Sequence, residues 1–165
     1  MMTAVATHKV TTTIASPIGP LTLVGVDGRL IKLSMHEQRY ADPLDPECER
    51  DDSAFTDVVS QLDAYFAGKL KKFEVDFSFE GTQFQCKAWN ELYKIPYGET
   101  ISYGEQAARL GNPKASRAVG AANGRNPIAI IVPCHRVIGA DKTLTGFGGG
   151  LERKDWLLKH ELSHS

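Results

Sequence analysis

The spacing of hydrophobic positions changes along this chain, and each change marks an element. Near the start it alternates. His8 to Ile14 is a Thr/Val-rich run, Ser16-Pro-Ile-Gly19 reads as a turn, Leu21 to Val26 alternates, and Asp27-Gly28 leads into Leu30 to Met35. Turn chemistry between such runs predicts a three-stranded meander. His36 to Asp52 is polar, with Pro43, Pro46 and several acids, which predicts an exposed loop of low order. From Ala54 the period becomes helical: Phe55, Val58, Val59, Leu62, Tyr65 and Phe66 form one stripe that Ser53 can cap and Gly68 can end. Phe73, Val75, Phe77 and Phe79 alternate again as a strand or extended linker, and Glu80-Gly81 marks a boundary.

Beyond that boundary the pattern is mainly helical. Thr82-x-x-Gln85 is a capping box, with Phe84, Ala88, Trp89, Leu92 and Tyr93 on the apolar face behind it, and Pro96-Tyr-Gly98 stops the helix. Ser102-x-x-Glu105 opens a second helix through Ala107, Ala108 and Leu110 that Gly111 can end. Asn112-Pro113 is read as capping the next helix at once, so that Lys114 to Ala122 form the second limb of a helix-turn-helix. That limb is mostly Ala, Gly and Ser, with Arg117 its largest side chain. Such a helix either packs tightly inside the protein or lays its backbone close to another surface. Ile128 to Val132 is a continuous apolar run bounded by prolines, read as buried, and a last helix is expected from Leu151. The expected fold class is α+β. Residues 1–80 form an N-terminal α/β domain with a small sheet and one helix, and residues 81–165 a mainly helical domain with a winged-helix-like helix-turn-helix.

Composition narrows the class. The chain has 165 residues, 42% hydrophobic and 24% charged, which excludes a disordered tail and suffices for a sizeable core. No apolar run approaches the ~20 residues of a membrane span, and Met1 to Val10 lacks a secretory signal. A cytoplasmic protein without membrane association is expected. The net charge of -1 hides a polarity: residues 1–80 carry 8 basic and 13 acidic side chains, residues 81–165 carry 11 and 7. From Ile101 to Ala140 there are Arg109, Lys114, Arg117, Arg125 and Arg136 against Glu105 alone. Nucleic acid becomes a candidate partner, with a plain solvated basic face as the competing reading.

Candidate chemistry centres on one triplet. Cys48, Cys86 and Cys134 are odd in number and widely spaced, which suits neither a disulfide framework nor a C-x-x-C metal site. His8, His36, Cys48 and Cys86 match no recognised zinc spacing, so no metal is expected. Cys134 follows Pro133 and precedes His135 and Arg136. A thiol reacts as its thiolate, which an imidazole, a cation or converging N–H groups can stabilise. Neighbours in an extended strand face opposite ways, so a working Cys-His pair here needs a turn after Pro133 or a bridging water. An inert buried cysteine is the alternative.

Pro133-Cys-His-Arg-Val137, preceded by Asn126-Pro127 and the apolar run, resembles the active-site signature of the O6-alkylguanine-DNA alkyltransferases, which repair DNA by direct reversal. The resemblance is close from Phe84 to Glu161, where Ile95-Pro-Tyr-Gly98, Ser102-Tyr103, Gly111-Asn-Pro113, Arg117-Ala-Val-Gly120 and Trp156-Leu-Leu158 follow in the family's order. The first half agrees in outline. The resemblance implies a single-turnover methylated-DNA–protein-cysteine methyltransferase that moves an alkyl group from guanine O6 to Cys134, with O4-alkylthymine left open. His135 would deprotonate the thiol through a water, Glu161 would hold the imidazole, Asn126 would brace the active-site turn, and Tyr103 would protonate the leaving base. Arg117 would enter the stack where the base flips out. Lys114, Ala115, Ser116, Ala118, Gly120 and Arg125 would complete a contact in the minor groove of double-stranded DNA.

The base pocket would use Val137, Tyr103, Phe147 and Gly148. Leu144-Thr-Gly-Phe-Gly-Gly-Gly150 departs from the family at this point, because Tyr and Ser often stand where this chain has Phe147 and Gly148. No cofactor is implied, and a monomer is expected, with cooperation on DNA left open. Two readings from other classes compete: a non-catalytic binder of alkylated DNA, against which Cys134 argues, and a Cys-His thiol hydrolase, which would turn over.

Overall fold

Strand pairing in the first half follows from the alternation. The computed structural model describes residues 8–36, 47–144, 147 and 149–165. β1 (Lys9–Ile14), β2 (Leu21–Val26) and β3 (Arg29–Met35) form an antiparallel meander, and the short β4 (Glu49–Arg50) adds to β1 in parallel, giving the order β3-β2-β1-β4. Alternate residues Leu21, Leu23 and Leu33 point into the core and are fully buried. The acidic stretch is therefore ordered in part, contrary to the loop expected there. Val10 and Thr11 supply an edge for Glu49 and Arg50, while residues 37–46 lie outside the described set.

Asp51, rather than Ser53, caps the first helical segment. Its carboxylate accepts from the Ser53 N–H, opening a 3-10 turn over Asp52–Phe55 that runs into α1 (Thr56–Phe66). Gly68, at φ 76°, ends that helix in the left-handed conformation its missing Cβ allows. Leu62 and Tyr65 on α1 are buried in the main core.

The free edge of β3 organises the molecule. An unpaired strand edge must be covered or bonded. At the start of β3, Leu30 donates to the Asp76 carbonyl (2.9 Å) and accepts from Ser78 N–H (3.1 Å), so Phe73 to Phe79 is one bridge and otherwise irregular, not a full strand. Near its end, Leu33 donates to the Pro127 carbonyl (2.9 Å) and accepts from Ala129 N–H (3.1 Å). The meander and the Ile128 segment thus share one ladder.

Helices α2 (Gln83–Tyr93), α3 (Tyr103–Arg109), α4 (Ser116–Gly124) and α5 (Leu151–His164) make up the rest, with β5 (Ile101–Ser102) pairing in parallel with β6 (Val137–Ile138). Both halves of the Thr82/Gln85 capping box form, and the Ser102 hydroxyl accepts from Glu105 N–H. α4 starts two residues later than the sequence suggested. The Ala115 N–H bonds the Asn112 carbonyl, so Lys114 and Ala115 belong to a turn. Trp89 Nε1 donates to the Ala122 carbonyl (2.8 Å), and the Gln106 and Asn123 amides bond reciprocally in the interior, which locks α4 onto α2 and α3. The internal-packing reading of the small residues holds for one face of α4: Val119 and Ala122 are buried, while Ala118 and Ala121 face outward. Among the described residues no helix is long and apolar enough to cross a membrane.

Candidate active site

Two tight turns aim the cysteine. Ile128 to Val132 is fully buried, and Ile131 N–H bonds the Ala129 carbonyl (2.8 Å) across Ile130, whose φ is 71°. That is a γ-turn on a β-branched residue in the left-handed region, a conformation costing on the order of 1–3 kcal/mol that surrounding structure must hold. Asn126 holds it: its Nδ2 donates to the Val132 carbonyl (2.7 Å) and its Oδ1 accepts from Ile128 N–H (3.1 Å). Cys134 N–H then bonds the Val132 carbonyl (2.8 Å) across Pro133, at φ -83° and ψ 69°, an inverse γ-turn. Cys134–Arg136 follow as one 3-10 turn. The turn that the Cys-His pair needed after Pro133 is present.

Glu161 of α5 gathers the charged groups. Its Oε2 accepts from Tyr65 Oη–H (2.6 Å) and Arg136 Nη2 (3.0 Å) and lies 2.7 Å from His135 Nε2, while Oε1 accepts from Arg136 Nε (2.8 Å) and Gly98 N–H (3.4 Å). Burial alone would push this carboxyl up, but the hydrogen bonds from His135 and Arg136 and the Arg136 charge outweigh it and hold it well below the usual carboxylate range. An ionised carboxylate only accepts, so His135 Nε2 carries the hydrogen. Burial also holds the imidazole pKa below its ordinary value, against the pull of Glu161. In the neutral ring Nδ1 is then a bare acceptor, buried and without a hydrogen-bond partner among the described residues. The arrangement leaves one basic nitrogen, on the residue next to Cys134.

The thiol sits in a compromise. Burial pushes Cys134 up, while the Asn126 hydrogen bond and the Lys154 charge pull it down. Lys154 of α5 is itself buried: its Nζ donates to the Val137 carbonyl (2.6 Å) and lies 5.8 Å from the centre of the Tyr103 ring. Burial lowers its pKa to about 8, with Cys134 opposing. Beside Cys134 lies a cavity of about 10 Å³, lined in part by Asn126, Ala129, Phe147 and Gly149, space for about one water.

Cys134, His135, Asn126 and Glu161 converge as the sequence suggested. Tyr103, the first residue of α3, lies between Lys154 and Gly120 of α4, where an added Cβ would come within 3.8 Å of its ring. Arg117, Lys114, Ala118 and Arg125 are exposed, and Ser116 and Gly120 are half-buried. Ala115 departs from the expected DNA-facing set because it is buried against Ala107 and Val119. Arg136 departs from the basic face, being folded inward as the counter-ion of Glu161. Val137, expected in the base pocket, is fully buried, and its carbonyl accepts from Lys154. Gly148 lies outside the described residues.

Sequence reasoning missed Tyr65 and Lys154 as partners of the site and Met35 as part of the cavity lining. Lys154 alone left a signal: it shares the face of α5 with Leu157 and Glu161, and a lysine on an apolar face needs a buried partner.

Two family models match the chain: 6-O-methylguanine DNA methyltransferase, ribonuclease-like domain, over residues 9–79, and the DNA binding domain of the same name over residues 83–163. The methylated-DNA–protein-cysteine methyltransferase of Mycobacterium tuberculosis is 56% identical over 153 residues, covering 93% of this chain and 92% of that protein. Its counterpart in Methanosarcina acetivorans is 52% identical over 146 residues, 88% of this chain and 94% of the other. The crystal structure of M. tuberculosis OGT in complex with DNA superposes with a TM-score of 0.88 at 54% identity, covering 96% of this chain and 94% of that one. With the Cys134–His135–Glu161 geometry, these matches establish that the chain belongs to the O6-alkylguanine-DNA alkyltransferases, the methylated-DNA–protein-cysteine methyltransferases.

Proposed function

We propose that this protein removes an alkyl group from O6 of guanine in duplex DNA by transferring it once, irreversibly, to Cys134. The single observation that carries the reading is the bare Nδ1 of His135, set by a Glu161 carboxylate that five donors hold in place. The thiol proton passes through one water to Nδ1. Sγ attacks the alkyl carbon, an S–C bond forms, and the C–O6 bond breaks with its electron pair left on guanine. Tyr103 donates a proton to the departing base and regains one from the imidazolium through solvent. Lys154, beside the thiol, favours its ionised form.

The product is a thioether, which does not hydrolyse under mild conditions. Cys48 and Cys86 are free thiols, and neither lines the cavity at Cys134, so neither is placed to regenerate it. One molecule repairs one lesion.

The exposed Arg117, Lys114, Ala118 and Arg125 support docking of α4 and its preceding turn in the minor groove, with Arg117 filling the gap left by a flipped base. Every group of the relay comes from one chain, so a monomer suffices. The test is to mix the protein with a duplex containing O6-methylguanine, digest it, and weigh the Cys134 peptide. One added methyl is expected, absent in Cys134→Ser. No adduct, or an adduct that survives that substitution, refutes the reaction.

A further inference from the structure

The cavity at Cys134 has one wall that comes from the other half of the chain. Met35, the last residue of β3, lines it together with Asn126 and Ala129 and is 4% exposed. Its thioether lies against Gly149: a Cβ there would collide with Met35 Sδ and come within 3.2 Å of Met35 Cε and 2.9 Å of Phe147 Cε2. Two anchors fix this wall. Leu33, two residues earlier, bonds the Pro127 and Ala129 backbone. Arg153 of α5 donates to the carbonyls of Ile18 (3.0 Å), His36 and Gly149 (3.3 Å), tying the turn before β2, the end of β3 and the wall residue Gly149 to one guanidinium.

We propose that Met35 is a specificity-determining residue, and that its side chain, closed on Gly149, sets the size of alkyl group that Cys134 accepts. A cavity of about 10 Å³ has room for little beyond a water. A methyl group needs a small displacement, which an unbranched thioether makes by changing rotamer. A benzyl group needs the whole Met35 side chain removed from the wall, because the β3 backbone behind it is held by the Leu33 ladder and by Arg153. The inference rests on the alkyl transfer proposed above and adds its selectivity: small O6-alkyl groups over bulky ones, imposed from the N-terminal sheet.

The experiment compares the full chain with Met35→Ala, Met35→Val, Met35→Leu, Gly149→Ala and the Met35→Ala/Gly149→Ala pair. Single-turnover rates are measured on two duplexes that differ only in carrying O6-methylguanine or O6-benzylguanine, with the adduct located by mass spectrometry. The ratio of the two rates cancels losses in folding or DNA affinity that affect both substrates alike. Met35→Ala is expected to raise the benzyl-to-methyl ratio by about tenfold to a hundredfold, the scale that a single methylene already sets in an apolar pocket. Met35→Val should raise it less, and Met35→Leu should hold it within about twofold. Gly149→Ala should lower the ratio, and adding Met35→Ala should restore it, a coupling that two merely structural residues would not show in a ratio. Should Met35→Ala fail to fold, Met35→Val and Gly149→Ala carry the same test. A ratio that stays within about twofold of wild type in the folded truncation variants overturns the inference. Wild-type protein that takes no methyl group at all refutes the reaction itself, a different result from a protein that reacts without discriminating.

Discussion

Tyr65 lies on α1, far in sequence from the reactive cysteine, yet its hydroxyl reaches Glu161 Oε2 at 2.6 Å. Tyr65→Phe removes that oxygen and leaves the ring, which touches Phe66, Phe73, Tyr97 and His160 at centroid distances of 5.3–6.1 Å. The residue is fully buried, so water does not replace the lost bond. A hydrogen bond to a charged group contributes about 1.5–3 kcal/mol. For a chain of this length each kcal/mol shifts Tm by about 2–4 °C, so the melting temperature should fall by roughly 3–12 °C. Glu161 keeps the bonds from His135, Arg136 and Gly98, so His135 keeps its tautomer and the methyl-transfer rate should change by less than about tenfold, or 1.4 kcal/mol. Glu161→Gln is the contrast. Its amide N–H₂ takes the place of Oε2 facing the imidazole, the one neighbour that can become an acceptor there by changing tautomer, so Nδ1 takes up the ring proton and transfer should slow by about 10³- to 10⁴-fold, the scale of a tautomer reversed by a carboxylate-to-amide change in a serine protease. Calorimetry and single-turnover methyl transfer read the two effects separately. A Tm within about 1 °C of wild type for Tyr65→Phe, with a cooperative melt, would show that the bond contributes no net stability. A Glu161→Gln protein that reacts within about fivefold of wild type would refute the assignment of Nδ1 as the base.

Three further outcomes are expected. Arg117→Ala should slow repair of a duplex far more than reaction with free O6-benzylguanine base, since the free base needs no unstacking; equal losses refute the wedge role. In a Cys134→Ser background, urea unfolding of the Lys154→Met variant should reveal the buried ammonium. The folded pKa of Lys154, about 8, lies below its unfolded value of 10.5, so the unfolded chain holds the proton more tightly and the lysine-bearing protein gains stability relative to the variant as pH rises from 8 to 10.5. The gain should approach roughly 3 kcal/mol, and a difference flat across that window contradicts the burial. Thr82→Ala removes the cap of α2 and should cost about 1 kcal/mol by thermal melt while leaving the transfer rate alone; a slowed rate would mean that α2 positions the site more directly than its packing shows.

Local signals were legible where local chemistry decides. The capping residues Thr82 and Ser102 and the stop at Gly68 follow from side-chain preferences a few residues apart, whereas the turn after Pro133 stood only as a condition for a working Cys-His pair, beside a bridging water. Asn112-Pro113 misled, because the Asn112 carbonyl closes a turn instead of opening a helix. Arg136 misled for another reason. Charge counting places every arginine at the surface, and only the fold shows a carboxylate waiting inside. Tyr65 and Met35 carried no local mark: each is an apolar-face residue of its own element, and its contact with the site exists only after the two halves dock.

The ladder between β3 and the Ile128 segment bears on how such proteins can be recombined. Backbone bonds such as Leu33 to Pro127 and Ala129 are blind to side-chain identity, so a chimera joining this N-terminal half to a relative's C-terminal half should still dock in register. The side-chain contacts across the same junction are not portable in that way. Tyr65 with Glu161, and Met35 with Gly149, are matched pairs that must be inherited together. A hybrid that separates them would fold around the right nucleophile with a less stable junction and an altered appetite for bulky lesions, although no residue of its reactive turn had changed.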